Sequence, residues 1–556
     1  MLKKIRAYLR QIGANAIIIP HDDAFFSEDL SPENERLAWI SGFTGSAGVA
    51  IITLQKAVLF VDGRYVEQAK RQTTFDVLHV PHQTTLQDWL AKFLKTDYTV
   101  AYNPWLQSVA QVEKWETLFE QKKAKLLPIE FDELDAFWEN RPLPKKVLTF
   151  DYPIKYAGQT TQQKTALVQS VLKAKNIDAF ILTNTDSVSW LLNKRSNATD
   201  FNPVVLDRLI IFQNAKAVSF NQKNLVKLKG KTVAIDKFET PVKIKQMLQD
   251  VGAVVQKFKN PVVSLQALKN KAEIKGMKKA ALLDSIAVCR FLALLPSRVQ
   301  MDNEYNVVQY LDEFRKENAL YYGKSFEHIS AVGKNSALPH YQAKENDNKK
   351  LAGQKIYLLD TGAQYLCGTT DMTRTIALSA PTQEMKEQYT QVLKGHIALM
   401  LQIFPYGTTG GALDALARQF LWNNANDFDH GTGHGIGCFL NVHETPPSIS
   451  PYDKNILQEN MILSNEPGFY KAGHFGIRIE NMMQVVRKKT TAKTFLGFEV
   501  LTFVPFCDEL IQMESLNELE KQWIKAYYQQ ILKFVYPKVD VKTKLWLSKQ
   551  TQRWIV

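Results

Sequence analysis

The sequence predicts an α+β protein of more than one domain, and three observations carry that prediction. The chain has 556 residues, too many for one hydrophobic core, so about two to four domains are expected. Its first half contains a degenerate repeat of helix, buried strand and hairpin. Its second half alternates apolar strands with amphipathic helices. Hydrophobic content of 45% and charged content of 22% belong to a globular protein.

The first copy of the repeat opens with "MLKKIRAYLRQ", where Leu2, Ile5, Leu9 and Ile12 fall at helical spacing. The strand "ANAIIIP", the Trp-containing "LAWISGF" and the pair "GVAIITLQKAVLFV" follow. The second copy runs from a helix around 161–173 through "NIDAFILTNTDSVSWLLNK" to "RLIIFQNAKAVSF". The turns "LQKA" and "QNAK" lie between β-branched runs, as hairpins require. The two copies meet near "ENRPLPKKVLTFDYP" (139–153), whose three prolines resist both a helix and a central strand. This places a first domain at 1–150 and a second, of about 115 residues, at 151–266.

A third region, 267–556, opens with a long helix beginning at about Ala267. Strands ("QKIYLLDTGAQYL", "MTRTIALSA") then alternate with helices ("TQEMKEQYTQVLKGHIALMLQIF", "TGGALDALARQFLWNN"). The apolar, aromatic tail "KQWIKAYYQQILKFVYPKV" either packs at a subunit contact or closes the core of its own chain.

The net charge of +13 is spread over short clusters such as "QKKAKLL" and "LVKLKGK", which read as solvated faces. Zinc-finger spacing, an aromatic RNA-binding box and a basic arm are all missing, so nucleic acid is not an expected partner. The four cysteines form no CxxC pair and read as free thiols of a reducing compartment. The basic N-terminus lacks the apolar stretch of a secretion signal, and no uncharged apolar run reaches membrane-spanning length. The expected location is the cytoplasm, away from membranes.

The dense polar chemistry lies in the third region. Asp360 ends an apolar strand and Asp371 follows eleven residues later, across the turn "CGTT". A hairpin there brings both carboxylates to one face. "HGTGHGIGCFLNVHE" (430–444) gathers three of the chain's ten histidines into a segment too rich in glycine to be a helix. Glu466 follows the apolar run "MILSN", and Glu480 is embedded in "GIRIENMMQVV", a strand that turns Ile477 and Ile479 to the opposite side. Singly, each has an ordinary structural reading: a turn or cap for the aspartates, an ion pair with Arg478 for a glutamate, a satisfied hydrogen bond for a histidine. Together, four carboxylates in one cleft would repel one another and lose hydration. Two divalent cations would cancel that charge. Oxygen-rich ligation with one imidazole suits Mn2+, with Co2+, Fe2+ or Zn2+ as alternatives.

The order Asp, Asp, His, Glu, Glu resembles the pita-bread metallopeptidases, the group of methionine aminopeptidase, prolidase and Xaa-Pro aminopeptidase. "DTGAQYLCGTTDMTRT", "HGTGHGIGCFLNVHE", "NEPGFY" and "FGIRIEN", with "SGFTGSAG" and "VDGRY" nearer the N-terminus, are similar to the large three-domain cytosolic Xaa-Pro aminopeptidases. The resemblance covers nearly the whole chain. It implies a pita-bread catalytic domain preceded by two related α/β creatinase-like domains, the second shortened. It implies Asp360, Asp371, His434, Glu466 and Glu480 as ligands of a two-metal site, with Asp371 and Glu480 bridging. His430 and His443 flank His434, and the glycines let the backbone pass where a Cβ would not fit. His340, in "SALPHY", matches a histidine lining the family's cleft, and Arg64, in "VDGRY", a position that contacts the peptide. Three positions depart from the family pattern: Cys367 and Asn465, where acids are common, and Thr445, where glycine is common. None is a ligand position.

The implied reaction is hydrolysis of the bond between the first residue and a following proline. Glu466 is the general base, His443 a donor to the oxyanion, and His340 a contact for the peptide downstream of the bond. The implied assembly is a homodimer. Two rivals remain open: a prolidase restricted to Xaa-Pro dipeptides, and a non-catalytic scaffold that uses the same fold for binding.

Overall fold

The structure is a computed structural model that describes residues 1–488 and 494–555. The chain forms two compact units. One comprises Met1–Ile154 with Gln159–Val262, the other Lys155–Gly158 with Val263–Val556.

The first unit contains the repeat. A six-stranded sheet has the spatial order Asp76–His79, Ala57–Val61, Val49–Thr53, Ala16–Pro20, Thr99–Tyr102, Lys125–Pro128. Its middle is antiparallel, with Ile18 opposite Ile51, and both flanks are parallel. The "LQKA" hairpin is held at its turn by the Thr53 hydroxyl, which accepts the Lys56 N–H at 2.8 Å. The second sheet runs Val218–Ser219, Leu209–Phe212, Ala179–Leu182, Thr232–Ile235, Val254–Lys257. Strand for strand, this is the first sheet without its outermost member. The reason is length. Between the first hairpin and its next central strand the chain inserts Val66–Gln72, Asp76–His79 and Leu86–Phe93, but between Val218–Ser219 and Thr232–Ile235 only two short helical turns. Side chains alternate across the pleat. Ile18, Ile51 and Val100 share one apolar cluster with Ile181, Ile210 and Val233, while Ile17, Ile19 and Ile52 line the opposite face.

The second unit opens with the helix Lys271–Leu294, four residues later than the sequence suggests. Asn270 sets that start. Its side chain accepts the Ala272 and Glu273 N–H groups, and Glu273 reaches back to the Asn270 N–H at 2.9 Å. Ala267 instead ends the preceding helix, Pro261–Ala267. By length and composition the helical segment Lys271–Ser297 would suit a membrane. Its Val288, Phe291 and Leu292 are buried among the core residues of the unit, as in a core helix.

A three-stranded sheet pairs Ile329–Val332, Ile356–Thr361 and Met372–Ala377. A six-stranded sheet has the order Phe404–Pro405, Phe495–Val500, Asn481–Lys488, Ile462–Asn465, Gly433–Gly435, Glu444–Ile449. Helices Gln383–Leu401 and Gly410–Trp422 lie so close that a Cβ on Gly395 would stand 2.1 Å from the Ala417 carbonyl oxygen. The tail forms Glu518–Phe534 and Val541–Ile555, and Ile524, Tyr527, Tyr528, Ile531 and Trp554 enter the unit's own core. All four cysteines are buried and none is in a disulfide.

One expectation is corrected. Glu480 does not sit within a single strand. Phe475–Arg478 pairs with Gly468–Lys471, Asn481–Lys488 belongs to the six-stranded sheet, and Glu480 lies at the crossing between them. The crossing is fixed by other strands: the Ile479 N–H donates to the Pro467 carbonyl at 3.3 Å, and the Glu480 N–H to the Thr373 carbonyl at 3.1 Å.

Candidate metal centre

The register of the Asp360 hairpin pairs Asp360 with Thr373, and Asp371 immediately precedes the return strand, so both aspartates stand at the same end. A buried ion pair behind them clamps the connection. Arg315 and Asp284 meet at 2.7 Å, Arg315 donates to the Gly362 carbonyl, and the Thr370 hydroxyl donates to Asp284. Two sheets thus bring five groups together. Asp371, His434 and Glu480 each offer a ligand atom within 4.8 Å of the others. His434 Nε2 lies 3.4 Å from Asp371 Oδ2 and 3.3 Å from Glu466 Oε1.

His434 is held in one tautomer. Its Nδ1–H donates to the Gly435 carbonyl at 2.9 Å, which leaves the Nε2 lone pair facing the carboxylates, as a metal-binding imidazole requires. The glycines around it divide. A Cβ on Gly433 would stand 2.1 Å from the Ser464 carbonyl oxygen, and one on Gly435 2.4 Å from that of Glu444. Gly437 is similarly crowded at 2.7 Å, but Gly431 would meet nothing nearer than 3.5 Å. The close-packing argument therefore holds for three of the four.

Burial and mutual repulsion work against these carboxylates. Burial, reinforced by Asp371 and Glu466, pushes the Asp360 carboxyl up to about 6 despite Arg478. Burial, with Asp371 adding to it, raises Glu466 as well. Glu480, buried against Asp371 and Glu466, is pushed well above the carboxylate range. Asp360 Oδ1 and Glu480 Oε1 are buried without any hydrogen-bond partner. Orphaned anionic oxygens facing a shared space are what divalent cations satisfy, so the residues fit a metal centre.

Arg478 and Tyr470 stand beside the centre but are not among the site residues that the sequence proposes. Arg478 bonds Asp360 Oδ2 at 2.6 Å, not Glu480, and also reaches Thr373 Oγ1 at 3.2 Å and the Pro339 carbonyl at 3.2 Å. Its other arm donates to Tyr470 Oη at 2.5 Å. The Tyr470 hydroxyl donates in turn to His430 Nε2 at 2.8 Å, and His430 Nδ1–H to the Gly431 carbonyl. His430 is thus a buttress engaged at both nitrogens. His443 stands edge-on to His434, ring centroids 4.5 Å apart. His340 follows Pro339, whose carbonyl is the one held by Arg478. Beside His443, the buried Glu444 is paired with Lys269 and accepts from Gln266 at 2.9 Å. Arg64 lies in the first unit, where it forms a two-pronged contact with Asp62 at 3.0 and 2.7 Å. Asn465, where the family pattern favours aspartate, donates to the His396 carbonyl at 3.0 Å, a bond that an ionised carboxylate does not make.

Comparison with known proteins agrees with this reading. The model of metallopeptidase family M24 matches residues 275–487, and that of its C-terminal region 494–554. Two models of the creatinase/prolidase N-terminal domain match 1–136 and 140–228. Fold and site together define an M24 metallopeptidase. A Laccaria bicolor protein described as a "Probable Xaa-Pro aminopeptidase P" is 35% identical, the match covering 99% of this chain and 92% of its own length. One of the same description from Paracoccidioides brasiliensis is 32% identical, covering 99% and 98%. The crystal structure of X-prolyl aminopeptidase from Caenorhabditis elegans, described as a cytosolic enzyme with a di-nuclear active site, superposes with a TM-score of 0.91 at 30% identity, over 97% of this chain and 95% of that one. The chain belongs to the Xaa-Pro aminopeptidase P family.

Proposed function

We propose that the protein hydrolyses the peptide bond between an N-terminal residue and a penultimate proline, using two divalent metal ions held by Asp360, Asp371, His434, Glu466 and Glu480. The observation that carries this is the gathering of Asp371, Glu466 and Glu480 around His434, with Asp360 close enough to Asp371 and Glu466 to feel their charge and with buried carboxylate oxygens left unpartnered on Asp360 and Glu480. Mn2+ is the metal of choice, because four carboxylates and a single imidazole favour an oxygen-preferring ion over thiolate- or imidazole-seeking ones. Family membership supports the aminopeptidase reading over the prolidase, a cytoplasmic location and a homodimer. The first and second sheets support two creatinase-like domains, 1–150 and 151–266, ahead of a catalytic domain, 267–556.

When bound, the metal pair supplies an acidified water and a Lewis acid for the scissile carbonyl. Glu466 takes the proton of the attacking water and returns it to the leaving nitrogen of proline, a secondary amine that departs poorly unless protonated. His443, edge-on to His434, donates to the carbonyl oxygen as negative charge develops there, an interaction worth about 3–4 kcal/mol. Arg478 holds Asp360 in place and, through Tyr470, orients His430. His340 holds the peptide downstream of the bond, and Arg64 is kept as a peptide contact on the family resemblance alone. Asp371 and Glu480, which together with His434 offer ligand atoms within 4.8 Å of one another, would hold the metal.

The test is hydrolysis of Arg-Pro-Pro by purified protein. Arginine release that a chelator abolishes and added Mn2+ restores is the expected result. An intact tripeptide beside a cleaved Xaa-Pro dipeptide would make the protein a prolidase. Failure to cleave either, in folded protein loaded with Mn2+, would make it a scaffold.

A further inference from the structure

Behind the two glutamates lies a buried polar chain that the mechanism above does not use. Its centre is His396, on the helix Gln383–Leu401, with no exposed surface and its ring enclosed by Phe506 and Trp523. Its other fixed point is Arg374, 1% exposed, two residues beyond the return-strand start. The hydrogen-bond directions along the chain follow from one fact: a guanidinium only donates. Arg374 Nη2 lies 2.7 Å from Asn481 Oδ1, so that oxygen accepts. Asn481 Nδ2 therefore points at His396 Nε2, 3.1 Å away, and donates to it. His396 Nε2 is then an acceptor and the ring proton sits on Nδ1, which donates to the Asn465 carbonyl at 3.1 Å. The Asn465 side chain closes the loop onto the His396 carbonyl at 3.0 Å.

The two ends of this chain are the residues next to the two glutamates. Asn465 precedes Glu466, Asn481 follows Glu480, and the two asparagines face each other in register across adjacent strands. Arg374 adds a direct hold, donating from Nη1 to the Glu480 carbonyl at 2.6 Å. Its Nε donates to the Pro505 carbonyl at 3.1 Å, Nη1 also to the Thr373 carbonyl at 2.8 Å, and Nη2 lies 2.7 Å from the Val504 carbonyl and 3.0 Å from the Tyr527 hydroxyl, which share its second hydrogen. Tyr527 lies on the tail helix Glu518–Phe534. One rigid neutral ring and one guanidinium thus tie the backbone at both glutamates to each other and to the helix Glu518–Phe534.

We propose that His396 and Arg374 are positioning residues that set the spacing of Glu466 and Glu480, with the helix Glu518–Phe534 as their anchor. This rests on the reading of both glutamates as metal ligands. The imidazole has two arms, and each can be kept alone. Asparagine at 396 places an amide donor near the position of Nδ1 and keeps the arm toward Glu466. Glutamine places an acceptor near that of Nε2 and keeps the arm toward Glu480. Leucine fills the space and keeps neither.

The experiment is Mn2+ titration by isothermal calorimetry of wild type, His396→Leu, His396→Asn, His396→Gln and Arg374→Lys, with thermal unfolding of each metal-free protein and kcat and KM on Arg-Pro-Pro. Outer groups that orient ligands are worth about 10–100-fold in metal affinity. The expected result is Mn2+ binding about 10–100-fold weaker in His396→Leu, with partial recovery in His396→Asn and His396→Gln and a fall in kcat at nearly unchanged KM. A folded His396→Leu protein with wild-type Mn2+ affinity would overturn the proposal. So would Asn and Gln variants no better than Leu, since loss of packing alone gives that pattern. Should the Leu variant not fold, wild-type Mn2+ affinity in both His396→Gln and Arg374→Lys overturns it equally, and weakened affinity in both supports it. Wild-type protein that takes up no Mn2+ would instead overturn the metal-site reading beneath it.

Discussion

Arg478 and Asp360 are joined at 2.6 Å, both almost fully buried, and the pairing crosses from the Gly468–Lys471/Phe475–Arg478 hairpin to the three-stranded sheet. One carboxylate oxygen of Asp360 is spoken for, and the other is left to the cleft. The guanidinium reaches Asp360, Thr373, Tyr470 and the Pro339 carbonyl at once, which a lysine ammonium cannot do. Arg478→Lys is expected to lower kcat on Arg-Pro-Pro by about 10–100-fold through misplaced Asp360 and His430. Steady-state kinetics at saturating Mn2+ checks this, and an unchanged kcat would remove Arg478 from the machinery.

Glu466→Gln keeps an oxygen in place for the metal and removes the base. Mn2+ uptake is expected to persist while kcat falls about 10²–10⁴-fold, the range of general-base catalysis. Calorimetry and kinetics on one preparation separate the two effects. Near-normal turnover would mean that another group takes the proton.

The crowding around Gly433 predicts a contrast between neighbouring glycines. Alanine there drives a methyl into the Ser464 carbonyl, 2.1 Å from its Cβ, and must push apart adjacent strands of the six-stranded sheet. Overpacking of this kind costs about 1–3 kcal/mol. Gly431→Ala, with 3.5 Å of clearance, is expected to stay within about 0.5 kcal/mol of wild type. Urea midpoints measure both, and equal values would contradict the geometry.

His396 also predicts a pH dependence. Burial first, then the charge of Arg374, lower its pKa from 6.5 to about 3. The unfolded chain therefore binds a proton between about pH 6.5 and 3 that the folded protein refuses, and stability falls as pH falls through that window. One such proton contributes a slope of about 1.4 kcal/mol per pH unit. His396→Gln has no ring to protonate, so its urea-derived stability is expected to fall less steeply below pH 6.5 than that of wild type. Parallel slopes would contradict a neutral buried ring.

Much of this site is legible in the sequence because its anionic residues sit where local pattern is strong. Asp360 and Glu466 close apolar runs, and His434 lies among glycines. The repeat is equally legible, since helix, strand and tryptophan recur in the same order. What escapes the sequence depends on contacts between distant segments. Arg478 sits two residues from Glu480 and invites a local pairing, yet its partner is Asp360, more than a hundred residues away. The break at Glu480 is invisible because "GIRIENMMQVV" alternates well enough for one strand, and only bonds from Pro467 and Thr373 divide it. His396, in mid-helix, reads as one polar residue on an apolar face. Nothing local distinguishes it from a solvent-facing histidine.

The burial of all four cysteines has a practical consequence. The thiolate is the reactive form, and burial pushes the Cys367 thiol up to about 11 and raises Cys289 and Cys507 further. None of the four is more than 7% exposed. The folded protein should therefore behave toward maleimides as though it had no cysteine. A single surface cysteine introduced by mutation would take a fluorophore or spin label without background, and the native sequence could serve unchanged as its own blank.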